Sequence, residues 1–121
     1  MYLDSIAFKA MENGIRQMAL KQEVHTQNIA NIDTPNYHYK TVSFKNVLDD
    51  TMSKSGKKGY SFKTDVSQVY ETNVLVDGNN VDVDKENLEL YSAYIQSSAI
   101  ISKLNSAISN LRYVFTNSNF K

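Results

Sequence analysis

Apolar residues recur at helical spacing at both ends of the chain, and the pattern breaks between them. The class this predicts is mainly α, with N- and C-terminal helices paired as a coiled-coil hairpin and a short irregular or β-leaning middle segment. The boundaries expected are 1–34 for the first helix, 35–80 for the middle segment and 81–121 for the second helix. A chain of 121 residues, 41% hydrophobic and 21% charged, suits one domain, or one small domain carrying long extensions.

In the first helix Phe8, Met11, Ile15 and Met18 follow at intervals of three, four and three, and the row continues through Gln22 and His25 to Ile29. Asp4 or Ser5 can accept an orphan amide as N-cap. Pro35 biases Thr34 towards extended geometry, so the helix is expected from about Ser5 to about Ile32. Ser43 to Met52 places Phe44, Val47 and Leu48 at one-sided spacing and predicts a short helix. Lys54 to Gly59 reads as a flexible basic loop. Tyr60–Phe62, Val66–Tyr70 and Val74–Val76 lean towards strand without a clear hairpin signal. Gly78-Asn79-Asn80 is turn chemistry, and Asp82, Asp84 and Glu86 load the next helix start with negative charge. Leu90, Tyr94, Ser97, Ile101, Leu104, Ile108, Leu111 and Phe115 then alternate four and three apart, a heptad seam. Ala93, Ile100, Ala107 and Val114 make a second row beside it. Two helices alone cannot hide so wide a stripe, so either the middle segment folds over it or neighbouring chains do.

Net charge is zero, from 13 Lys+Arg against 13 Asp+Glu, which disfavours nucleic acid as the main partner. The zero is uneven: −1 over 1–35, +4 over 36–63, −6 over 64–90 and +3 over 91–121. Solvated loops explain this simply; head-to-tail complementarity between copies is the sharper alternative. No strictly apolar run exceeds three residues, which excludes a membrane-spanning helix, and the start lacks the pattern of a cleaved secretory signal. With no Cys there is no thiol nucleophile or thiolate metal site. Asp77 to Glu86 superficially suggests a calcium loop, but Leu75 falls on a ligand position and the bidentate Glu is missing. His25 and His38 lack carboxylates at ligand spacing, and no Gly-x-Ser-x-Gly, Ser-x-x-Lys or Gly-rich phosphate motif occurs. Neither catalytic residues, a metal nor a cofactor is expected.

The segment Asn28-Ile29-Ala30-Asn31-Ile32-Asp33-Thr34-Pro35-Asn36-Tyr37 fits a helix terminus followed by a type II turn, with Asn36 at the position needing positive φ. Taken with the amphipathic helix before it, this segment resembles the Ala-Asn-x-x-Thr-Pro-Gly-Tyr signature of bacterial flagellar rod and hook proteins. Asn28, Asn31, Thr34, Pro35 and Tyr37 carry the likeness, and Asn36 stands where that signature has Gly. The stretch Asp77 to Glu86, followed by the heptad helix, is a second match.

The resemblance implies a structural subunit of the proximal rod in the flagellar basal body, crossing the cell envelope, with terminal helices in a coiled coil and a middle segment touching neighbours. It implies secretion by the flagellar type III system, with Phe44 and Leu48 as an export-gate element. The partners implied are copies of the same chain, rod proteins of the FlgC, FlgF and FlgG type, the FliE adaptor and the export gate. Neither nucleic acid nor direct membrane insertion is implied. A sister rod subunit and a monomeric α+β binding module are the alternatives.

Overall fold

The computed structural model describes residues 5–49, 59–70 and 75–118. Four elements follow one another: helix α1 (Ile6–Ala30), strand β1 (Lys40–Asp49), strand β2 (Gly59–Gln68) and helix α2 (Val83–Asn117). Ser5 is the N-cap of α1, accepting from the Phe8 amide at 3.3 Å. Asp82 caps α2, accepting from the amides of Asp84 and Lys85, and Asp84 and Glu86 sit in the first turn where the helix dipole favours acids. α1 ends two residues before the expected Ile32, because Asn31 to Tyr37 turn the chain out of the helix. The Tyr37 amide donates to the Thr34 carbonyl at 3.3 Å, and Asn36 takes φ 58°, as the turn reading requires.

The helices run antiparallel. Lys21 pairs with Glu89 at 2.8 Å, His25 meets Glu86, and Gly14 faces Ile100 so closely that a Cβ added there would stand 3.1 Å from the Ile100 Cδ1. Leu90, Ala93, Ser97, Ile100, Leu104, Ala107 and Leu111, all half-buried or buried, make a heptad row of α2 facing α1. On α1 the matching positions are Met11, Gly14, Met18, Lys21, His25 and Asn28. Small Ala93, fully buried, and Gly14 let the backbones approach.

Between the helices, β1 and β2 form a two-stranded antiparallel sheet in register from Lys40↔Gln68 to Asp49↔Gly59. The short helix expected over Ser43–Met52 is therefore corrected. Lys40–Asp49 is a strand, and residues 50–52 lie outside those described. The spacing of Phe44, Val47 and Leu48 mimics a helix, but pairing with the β-leaning partner strand decides the conformation. Of the other strand-leaning fragments, Tyr60–Phe62 and Val66–Gln68 fall in β2, whereas Val74 lies outside the described residues.

The core sits at the closed end of the hairpin, where Met18, Val24, Val81 and Ala93 are buried beside His25, Asn28, Asn79, Asn80 and Glu86. Among the described residues no helix is long and apolar enough to cross a membrane.

Candidate functional site

Two features stand out: a buried polar clasp at the closed end of the hairpin, and an outward apolar row along α2.

The clasp is built on three asparagines. Asn28, fully buried in the last turns of α1, donates from Nδ2 to the Lys40 carbonyl (2.7 Å) and to Glu86 Oε2 (2.9 Å). Its Oδ1 accepts from the Lys40 amide (2.9 Å) and the Tyr37 hydroxyl (3.1 Å). Asn79, also fully buried, gathers the end of α1. Its Nδ2 reaches the carbonyls of Asn31, Ile32 and Thr34 at 2.8–2.9 Å, in the turns that follow the helix. Asn80 ties the sheet, accepting from the Tyr39 amide and donating to the Val69 carbonyl, both at 2.7 Å. Glu86 Oε2 and His25 Nδ1 share a hydrogen bond of 2.5 Å, both side chains being buried. Through these bonds α1, the start of β1 and the first turn of α2 are tied together at the closed end.

Two turns lock together beside it. Gly78 has φ 84° and an added Cβ would meet Asn36 Oδ1 at 2.4 Å, while the Asn36 amide donates to the Asp77 carbonyl at 3.0 Å. Burial and the Glu86 carboxylate push the Tyr37 phenol above its usual range, keeping it a donor. The Lys21 ammonium, hydrogen-bonded to Glu89, holds that carboxyl below its ordinary range.

The outward row is Tyr94, Ile101, Ile108 and Phe115, spaced seven apart and 61%, 43%, 46% and 63% exposed. These alternate members of the sequence seam lie one position off the row that faces α1, whereas Leu90, Leu104 and Leu111 face it. On α1, Met18 is buried and Phe8, Met11, Ile15 and Ile29 are half-buried. The row thus leaves four large apolar side chains in water at regular spacing.

The chain is 39% identical to the flagellar basal body rod protein FlgB of Bacillus subtilis (strain 168), over 96% of this chain and 98% of that one. It belongs to the flagellar basal body rod protein FlgB family. The FlgB proteins of Buchnera aphidicola and Aeromonas hydrophila are 29% and 30% identical, over 88% and 81% of the chain. A scan against family models finds no match. FlgB membership favours the rod-subunit reading over the sister subunit and the monomeric binding module.

Within this FlgB-family chain the turn motif is drawn together around the clasp. Asn31 Nδ2 donates to the Gln27 carbonyl at 2.8 Å, Thr34 Oγ1 to Asn31 Oδ1 at 3.1 Å, and Pro35 lies exposed in the turn. Phe44 is half-buried on β1, and Leu48 occupies the same strand. Among the described residues no three His, Asp or Glu stand close enough together to hold a metal. Sequence reasoning missed the joining of His25, Asn28 and Glu86. The signal was present, since 25 and 28 on one helix and 86 on the other fall on the heptad positions that meet.

Proposed function

We propose that this chain is a structural subunit of the flagellar rod, held in the assembly by the outward row of α2 and without a catalytic role. The observation that carries the reading is the exposed heptad row Tyr94, Ile101, Ile108 and Phe115 on a helix whose other face is already paired. Burying such a row against neighbours yields about 25 cal/mol per Å² before the entropy of association is subtracted. The same patch meeting a different patch on the next copy, with a screw rotation, builds a tube rather than a closed dimer.

The named relatives support the basal body as its location, and the further partners follow the same reading: rod proteins of the FlgC, FlgF and FlgG type, the FliE adaptor and the type III export gate. Phe44 and Leu48 serve as the gate element while the chain is unfolded in transit. The experiment is mass spectrometry of washed, acid-dissociated hook–basal bodies from the source bacterium. The chain is expected in a few copies per particle, and its absence from intact particles overturns the reading.

A further inference from the structure

Asn13 and Gly14 stand side by side within α1, and no other asparagine of the chain is followed by glycine. Inside a helix Gly is less favourable than Ala, yet a Cβ here would stand 3.1 Å from the Ile100 Cδ1, so the close pairing with α2 favours glycine at this position. A side-chain amide is open to attack by the backbone nitrogen of the next residue. Glycine there offers the easiest attack, having no Cβ to bar the approach and the widest choice of φ and ψ. The Gly14 nitrogen bonds to the Asn13 Cγ, and Nδ2 leaves as ammonia, gaining through solvent the proton that the Gly14 nitrogen gives up. Water, the only co-reactant, then opens the five-membered imide. Cleavage at the side-chain carbonyl leaves an aspartate in place of Asn13. Cleavage at the main-chain carbonyl leaves an isoaspartate, with one more carbon in the main chain.

Folding stands in the way of this reaction. Backbone amides inside α1 donate to the carbonyls four residues back, which occupies the Gly14 nitrogen. Asn13 Nδ2 donates to the Lys9 carbonyl at 2.8 Å, drawing the side-chain amide towards the preceding turn and away from Gly14. Both bonds must break before the nitrogen can reach Cγ, so attack waits for a local opening of α1. The clasp at His25 and Asn28 lies about three turns away. At the level of Asn13, α1 is held by Gly14 packed against Ile100. We propose that Asn13–Gly14 is a site of spontaneous deamidation that the pairing of α1 with α2 holds shut, so that the modification accumulates in chains that stay unpaired. The isoaspartate product interrupts the helical spacing of α1 opposite Ile100.

The test is to incubate the full chain in mildly alkaline buffer, with and without guanidinium chloride, and to follow each asparagine by mass spectrometry of tryptic peptides. Trypsin cuts after Lys9 and Arg16, which leaves Asn13 as the only asparagine of its peptide, and the mass reports NH2 replaced by OH. In denaturant Asn13 is expected to convert faster than any other asparagine. In buffer alone its conversion is expected to be at least about tenfold slower, because only the open fraction reacts. Ile100→Ala, which removes the contact with Gly14, is expected to convert faster than wild type in buffer and at the wild-type rate in denaturant. Ile101→Ala, on the outward row, is expected to match wild type in both. Conversion at Asn13 no faster than elsewhere in denaturant overturns the site. Equal rates with and without denaturant, an Ile100→Ala chain as slow as wild type in buffer, or an Ile101→Ala chain as fast as Ile100→Ala overturn the gate.

Discussion

Asn28 uses both its amide protons and both lone pairs inside the protein, and two of those four bonds hold the backbone of Lys40. Replacing it by Ala strands the Lys40 amide and carbonyl and leaves the Glu86 carboxylate with His25 alone. Buried unsatisfied groups cost about 1–3 kcal/mol each, so Asn28→Ala should lower stability by several kcal/mol in a urea titration. Tyr37 acts on the same network with a pH signature. Its ionisation lies above the usual phenol value of 10.0, so its contribution is full below that value and is lost as pH rises through the folded one. Tyr37→Phe should cost about 1 kcal/mol at neutral pH and flatten the alkaline limb of the stability curve. The Lys21–Glu89 pair acts in the opposite direction. The lowered Glu89 carboxyl stabilises above the ordinary glutamate range and loses this as pH falls. Its share is small because Glu89 keeps 39% of its side-chain surface in water.

At the scale of the element, the two rows of α2 separate by one position. Ile100 lies against Gly14 and Ile101 is 43% exposed. Ile100→Asp should therefore lower the melting temperature by more than about 10 °C, while Ile101→Asp should move it by a few degrees at most, measured by circular dichroism. Both helices, the Ser5 cap, the acidic start of α2 and the 34–37 turn are legible in the sequence, because periodicity, Ser5, Asp84 with Glu86, and Asn36 each act locally; that Asp82 is itself the cap is not. Which row faces inwards is not. Tyr94, Ile101, Ile108 and Phe115 outweigh Ala93 and Ala107 in apolar content, yet small residues are what a close helix pair needs. The strand at Lys40–Asp49 is also hidden, since a two-stranded ribbon is decided by its distant partner rather than by its own spacing. The clasp joins residues about sixty positions apart, so the heptad pattern marks each partner's inward position but not which residue it meets.

For the whole molecule, stability is graded from one end to the other. The clasp, the two locked turns and the buried core lie at the closed end, while the far end of the hairpin rests on half-buried Phe8, Met11, Leu104 and Ala107. Amide exchange of the dilute monomer should accordingly be slowest over 18–28 and 81–93 and fastest over 6–12 and 108–117. Uniform protection along both helices would show that the hairpin needs no neighbours to order its open end. Such a gradient suits a chain that completes its ordering as it is built into an assembly, the proposal being that a neighbour covers the surface still in water.

The most direct test of that account is the rod content of basal bodies from cells whose only source of this chain is the Ile101→Asp variant, compared with wild type by mass spectrometry. The prediction is a variant chain that is made and folds as the wild type does, yet is missing from the particles. Wild-type occupancy of the variant would show that the outward row of α2 is not the surface by which this protein assembles.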